Sequence, residues 1–301
     1  MTKRVAITGS SGLIGGALRA HLVARGDEVI RLVRRPTTAS DELQWDPARA
    51  DLEPEALAEV DAVVNLAGAG VGDRRWTEDH KRAILSSRID ATTTVARAVA
   101  AEHARSGRAV RLVNASAVGF YGDRGDEPLT EQSPPGDDFL ASVVVQWEAA
   151  AEQATGSAPV AMVRTGLVMA PDGGAFERLL LLARLGLGGP LGSGREWWPW
   201  ITLADTVRAV TFLIDHTDQV GPFNLAAPGE ARQVEIAHAF GRALHRPAIL
   251  PAPRLALRAV VGEFADSILA SQRVRPARLA EAGFTFEHPD LDTAVRWTLQ
   301  R

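Results

Sequence analysis

Cysteine is absent from the 301 residues, which removes disulfides, thiolate metal ligands and thiol nucleophiles at once. The fold must therefore stand on packing, and a hydrophobic fraction of 46% is enough for a large core. Lysine is nearly absent as well, with Lys3 and Lys81 the only two, and Tyr121 is the single tyrosine. Phenols and ammonium groups are frequent proton carriers in enzymes, so here each can come from very few positions. No apolar run reaches membrane-spanning length, and the run that begins at Val5 is too short for a signal peptide, so the chain reads as cytoplasmic. A formal net charge of -4 gives no reason to expect nucleic acid or an acidic membrane as partner. The seven histidines are scattered without ligand spacing, and no metal site is expected.

What is present is an alternation of short β-branched runs with longer helical patterns, the signature of a parallel sheet wrapped by helices. Strands are expected at Arg4 to Thr8, Glu28 to Val33, Ala62 to Leu66, Val110 to Ala115 and Val160 to Thr165. Ile14, Leu18 and Leu22 recur on one helical face and Gly26 stops that helix, which completes a β-loop-α-β unit. Helical regions are expected from Asp73 to Ala101 and from Asp138 to Ala154, with another restarting at Leu203. The stretch from Gly186 to Pro199 is too rich in Gly, Pro and Trp for a helix and reads as a loop over a site. Pro247, Pro251 and Pro253 mark a boundary, beyond which Leu255 to Leu279 and Leu291 to Leu299 are helical in pattern. The expectation is an α/β, Rossmann-type doubly wound parallel sheet over residues 1–246, with substrate-side insertions after 165, and a small, mostly helical C-terminal domain over 247–301.

Chemistry enters first at Gly9-Ser10-Ser11-Gly12-Leu13-Ile14-Gly15, a GxxGxxG turn between the first strand and the first helix. Glycines there let backbone N–H groups approach a pyrophosphate, and the helix N-terminus adds partial positive charge. The loop assigns Gly9, Ser11, Gly12, Leu13, Ile14 and Gly15 to a dinucleotide. The second strand ends in Arg34-Arg35 with no carboxylate. A carboxylate there would select the ribose 2′-OH, whereas guanidinium groups suit a 2′-phosphate, so NADP(H) is the expected cofactor.

Two further segments, with the glycine loop, carry a resemblance. Asn65-Leu66-Ala67-Gly68 is similar to an N-x-A-G segment closing the fourth strand, Phe120-Tyr121-Gly122 to a YG after the fifth, and the glycine loop fits both. With Trp45-Asp46, Arg74-Arg75-Trp76, Ser87-Arg88, Ser133-Pro134-Pro135-Gly136-Asp137-Asp138-Phe139, Leu185 to Pro190, Arg275-Pro276 and Ala282-Gly283-Phe284, the chain resembles the extended short-chain dehydrogenase/reductase family. Within it, the resemblance is to an atypical subgroup described as epimerase-family proteins, which carries a small C-terminal domain. It implies cofactor contacts from Leu66, Ala67, Gly68, Arg88, Ser116 and Val168, and an oxidoreductase or epimerase-like activity on a small molecule.

The wider family moves protons with a Tyr-x-x-x-Lys pair, and this chain cannot contain one. Position 125 is Gly, and alignment before Trp147-Glu148 places Phe139 or Leu140 in the tyrosine slot and Val143 or Val144 in the lysine slot. Aligning on Tyr121-Gly122 puts Ala117 in the usual hydroxyl slot, with Ser116 one residue early. Ser116 and Tyr121 are then the catalytic candidates, each weighed against a plain structural role. Asp123, Asp126, Glu127 and Glu131 read as a solvated acidic turn, and Trp197, Trp198 and Trp200 either stack on substrate or plug their loop to the core. Two functions stay open: an NADP(H)-dependent enzyme with a noncanonical proton source, and a protein that binds NADP(H) without turnover as a sensor or assembly factor. A nucleotide-sugar epimerase using the full family chemistry is disfavoured by the missing pair. The partner expected is an unknown small-molecule substrate, with a homodimer left open.

Overall fold

The β-branched runs of the first half become strands with buried residues facing both sides of the sheet, which is why they are mostly apolar rather than alternating. The computed structural model describes residues 2–300. Its main sheet has seven strands, all parallel: β1 (Arg4–Thr8), β2 (Glu28–Val33), β3 (Glu42–Gln44), β4 (Ala62–Asn65), β5 (Arg111–Ala117), β7 (Val160–Thr165) and β10 (Gly221–Leu225), in the order β10-β7-β5-β4-β1-β2-β3. Of the short strands outside it, β6 (Pro128–Leu129) pairs with β11 (Arg273–Val274), and β8 (Leu167–Met169) with β9 (Trp200–Thr202). Side chains alternate across the sheet, so Val5 and Ile7 join one core and Ala6 the other.

On the first side, α1 (Leu13–Arg25) and α5 (Leu203–Asp215) bring Leu18, Leu22, Val207 and Val210 onto Val5 and Ile7. On the second, α2 (Glu78–Ser106) and α3 (Phe139–Glu152) bring Val95, Val99 and Ala151 onto Ala6, Leu32 and Val63. Local chemistry sets the helix ends. Gly26 at φ 91° returns its N–H to Leu22 and Val23, the Thr77 hydroxyl accepts from His80 N–H, and the Asp138 carboxylate accepts from Ala141 N–H. The second helix therefore starts at the Thr77 cap rather than at Asp73 and runs on to Ser106.

Beyond Thr165 the structure adds what the sequence pattern left unassigned. Helices α4 (Gly174–Arg184) and α6 (Gln233–Leu244) form a third core with α10 (Leu291–Leu299), built on Phe176, Leu180, Trp200, Ile236, Phe240 and Val295. The helical pattern expected over Leu255 to Leu279 is broken into α7 (Arg254–Val261), α8 (Phe264–Ile268), β11 and α9 (Ala277–Glu281). Gly262 at φ 69° ends the first piece, and Pro276, with no N–H to give, stands ahead of the last. Among the described residues, no helix is long and apolar enough to cross a membrane.

Candidate functional site

In a doubly wound sheet, ligands sit outside the carboxyl ends of the strands, where neighbouring connections leave in opposite directions. Here that point lies beside β1, flanked by β2 on one side and β4 on the other. The glycine loop leaves β1 there, and its three glycines are required for different reasons. Gly9 adopts φ 64°, and a Cβ on it would stand 2.8 Å from the Leu66 carbonyl oxygen. A Cβ on Gly15 would stand 2.2 Å from the Gly9 carbonyl oxygen, so this glycine lets α1 close onto the loop. Gly12 is exposed and unstrained at φ -76°, and a Cβ on it would come no nearer than 3.4 Å to any protein atom. Nothing within the protein therefore requires a glycine at 12, whereas a ligand seated on the loop would. Gly12 is also the N-cap of α1 with no side-chain cap, which leaves the leading N–H groups at Leu13, Ile14 and Gly15 without intrahelical acceptors. Ser11 is exposed beside them.

The Arg34-Arg35 pair separates into two roles. Arg35 is bound through both guanidinium nitrogens to Glu42, at 2.5 and 2.9 Å, and Thr38 N–H donates to the same carboxylate. These contacts pull the Glu42 carboxyl down to about 2, the Arg35 hydrogen bond contributing most. Arg34 is exposed and forms no ion pair among the described residues, so it is the cation left for a ligand at the end of β2.

The opposite wall is the turn after β4. Thr8 Oγ1 donates to Asn65 Oδ1 at 2.6 Å and accepts from the N–H groups of Leu66 and Ala67, fixing that turn against the glycine loop. Asn65 in turn donates to Thr92 and Asn114, and Trp147 Nε1 donates to Thr92. Arg88 rises from α2 under Gly68, donating to the carbonyls of Ala69 (2.9 Å) and Ile84 (3.0 Å) and lying 4.9 Å from the centre of the Trp147 ring. It has no carboxylate partner among the described residues, and burial lowers its guanidinium to about 10. Val168 sits on β8, just past the end of β7, partly buried against the core on the α1 side.

The two hydroxyls expected to serve catalysis are engaged elsewhere. Ser116 Oγ is buried and donates to Glu148 Oε1 at 2.6 Å, and Glu148 is held by Arg164 at 2.7 and 2.8 Å. Its proton is therefore committed to an ion-paired carboxylate. Tyr121 is fully buried; its phenol donates to Asn224 Oδ1 at 2.6 Å and accepts from Arg164 at 3.0 Å. Burial pushes the phenol above its ordinary value. A group without solvent or ligand access cannot hand a proton to a substrate, so Tyr121 is a core residue rather than an acid. The expectation of a solvated acidic turn fails at Glu131: it is buried, accepts from the N–H groups of Asn224 and Arg278, and has its carboxyl raised by burial. Sequence reasoning missed Glu148, Arg164 and Asn224 as members of one network, and misread Glu131, because none lies near the others in the chain.

The tryptophans anchor their loop. Trp197 donates to Asp126 and lies between Arg232 and Arg273, Trp198 donates to the Ile268 carbonyl, and Trp200 is almost wholly buried. Between this region and the sheet lies a cavity of about 160 Å³, with Gly119 and Leu140 on the sheet side and Phe264, Ser267 and Ile268 of α8 across from them. Of the two residues aligned with the tyrosine slot, Leu140 faces this cavity while Phe139 packs edge-on against Trp76. Val143 and Val144 are both buried. Trp76 also meets Phe264, Lys81 pairs with Glu263, and Arg75 donates to the carbonyls of Ala259 and Val260, so the Arg-Arg-Trp segment clasps α7 and α8 over the cleft.

Comparison with known proteins fits this geometry. Residues 5–226 match the model of the NAD dependent epimerase/dehydratase family, and residues 252–298 match a domain of unknown function, DUF1731. The chain belongs to the NAD dependent epimerase/dehydratase family. Among its relatives are an epimerase family protein of Mycobacterium bovis, Mb2239, 44% identical over 99% of this chain and 98% of its own, and the Bos taurus epimerase family protein SDR39U1, 38% identical over 97% and 98%. The crystal structure of human SDR39U1 (isoform2) with NADPH superposes with a TM-score of 0.89 at 34% identity, covering 99% of both chains. A nucleoside-diphosphate sugar epimerase of Corynebacterium glutamicum superposes at 0.81 with 35% identity, over 99% of this chain and 58% of that one.

Proposed function

We propose that this member of the family binds NADP(H) on the glycine loop and acts as an oxidoreductase or epimerase-like enzyme on a small molecule. The observation that carries the reading is the pairing of a glycine at 12 that nothing in the protein requires with a cation, Arg34, that forms no ion pair among the described residues at the end of β2. Human SDR39U1, similar over the whole chain, was solved with NADPH, which supports the choice. In this reading the N–H groups at Leu13 to Gly15 take the pyrophosphate, Arg34 takes the 2′-phosphate, and the Leu66-Ala67-Gly68 turn lines the ribose side with Arg88 beneath it. Val168 closes the wall at the end of β7. When bound, the dinucleotide supplies hydride transfer at its nicotinamide. Isothermal titration tests the reading: NADPH should bind at least about tenfold tighter than NADH, a difference of about 1.4 kcal/mol that one charge-assisted contact supplies. Equal affinities would remove Arg34 from the site.

A second reading, binding without turnover, is favoured by one specific observation. Ser116 and Tyr121 both have their hydroxyl protons committed inside the core, and Leu140 stands where a proton donor would be needed. Consumption of NADPH by the purified protein with any small carbonyl compound would decide for the enzyme. We also propose the division of the chain at 246/247, just ahead of Pro247, as the boundary of the C-terminal unit.

A further inference from the structure

The cavity between the sheet and α8 differs in chemistry from the dinucleotide cradle beside it. Its walls are mostly apolar, formed by Val118, Gly119, Leu140, Phe264 and Ile268. No arginine, lysine or histidine lines it. The polar lining is confined to Ser267, Gln272 and one carboxylate, Asp138. Gln272 already spends an N–H on the Gly122 carbonyl, and Asp138 spends one oxygen on the cap of α3. Cations nearby on the C-terminal side are engaged elsewhere: Arg232 with Asp126, Arg273 and Arg275 with Glu230, Arg254 and Arg258 with Asp266, and Lys81 with Glu263.

From this geometry we infer that the cavity is the substrate subsite and that it takes a small, uncharged, largely apolar carbonyl compound or alcohol, not an anionic sugar nucleotide. Its role as a substrate site rests on the NADP(H) reading above; its selectivity rests on the lining alone. An anion entering it would lose water without gaining a cation, and would meet Asp138 besides. A cavity of about 160 Å³ has room for a benzene-sized guest. The location is also right for the family fold. Val118 and Gly119 directly follow β5 on the ligand-bearing edge of the sheet, and α8 from the C-terminal unit closes the other side.

A matched pair of probes isolates the charge: benzaldehyde and para-carboxybenzaldehyde, with UDP-glucose as the sugar nucleotide. NADPH binding is measured first, and the probes are then titrated against both the NADPH-saturated and the free protein by ligand-observed NMR. Benzaldehyde should bind at least about tenfold tighter than its carboxylated partner, and UDP-glucose should not compete with it. Asp138→Asn keeps the helix cap but removes the charge, and should narrow the gap between the two aldehydes. Ser267→Phe should fill the cavity and abolish benzaldehyde binding while NADPH affinity and thermal stability hold. Equal binding of the two aldehydes, tighter binding of UDP-glucose, or benzaldehyde binding that survives Ser267→Phe would each overturn the inference. Absence of benzaldehyde binding to a protein that does bind NADPH overturns it too and leaves the dinucleotide reading intact. Absence of NADPH binding overturns that reading instead, and the titrations on the free protein still judge the cavity.

Discussion

At Gly15 a methyl group would have to share space with the Gly9 carbonyl oxygen, 2.2 Å away, whereas at Gly12 it would meet that oxygen only at contact distance, 3.4 Å. The two alanine variants should therefore fail in different ways. Gly15→Ala should lose folded protein, because backbone rather than a flexible side chain must yield. Gly12→Ala should keep its circular dichroism and melting temperature yet bind NADPH at least about tenfold more weakly, the scale of one lost close backbone contact. Parental affinity in Gly12→Ala would mean that the loop does not hold the ligand. Tyr121 calls for the opposite pattern. Removing its hydroxyl leaves Asn224 Oδ1 without that donor and one Arg164 bond unmade inside a buried network, a loss of about 1–3 kcal/mol in stability. Urea unfolding of Tyr121→Phe should show that loss, while any turnover per folded molecule stays near parental. A hundredfold fall in turnover at unchanged stability would restore the phenol as an acid.

Strand β3 hangs on the edge of the sheet through charge as much as through its ladder. Its Glu42 forms an ion pair with Arg31 at 2.9 Å and accepts hydrogen bonds from Arg35, and the carboxyl lies at about 2. A carboxyl depressed in the folded state contributes stability that is fully present above its unfolded value, about 4.3, and is lost as pH falls from there towards about 2. Glu42→Gln should therefore be destabilised at neutral pH, and the gap to the parent should close across that window, read from urea midpoints at several pH values. A gap of constant size would show that the ion pairs contribute nothing through ionisation. The sheet as a whole shows what the sequence could and could not tell. Strands β1, β2 and β7 are mostly apolar, interrupted inside only by Arg31 and Arg164, and stand at their expected bounds, while β10 opens on Gly221-Pro222 and leaves too few residues to signal a strand. Helix α4 escaped notice because it begins on paired glycines and carries Leu179 to Leu182 around its whole circumference. The glycine loop was legible as a turn because its geometry is local in sequence. The split between Arg34 and Arg35 was not, since it depends on where Glu42 returns, and the Ser116–Glu148–Arg164–Tyr121–Asn224 network joins segments that only the sheet brings together.

Across the whole molecule, the ligand edge of the sheet divides into a cradle that wants an anion and a cavity that does not. The cradle offers helix-end N–H groups, the Arg34 cation and the half-buried Arg88, whereas the cavity offers one carboxylate and no cation. Such a division suits one charged cofactor and one neutral substrate, with α8 of the C-terminal unit covering the second. The cradle's preference can be read on global stability, because a ligand bound by the folded state alone stabilises it by RT ln(1 + [L]/Kd), about 2.7 kcal/mol at a hundredfold excess over Kd. For a chain of 301 residues each kcal/mol moves the midpoint by roughly 1.5–2 °C, so NADPH at that excess should raise the melting temperature by roughly 4–5 °C. NADH at the same concentration, if it binds about tenfold more weakly, should fall short by about 1.4 kcal/mol, or roughly 2–3 °C. Arg34→Ala should bring the NADPH shift down to the NADH shift and leave the latter in place. Arg35→Ala should instead lower the melting temperature without ligand, since its partner is Glu42, and preserve the difference between the cofactors. If Arg35→Ala erased that difference and Arg34→Ala did not, the assignment of the two arginines would be reversed.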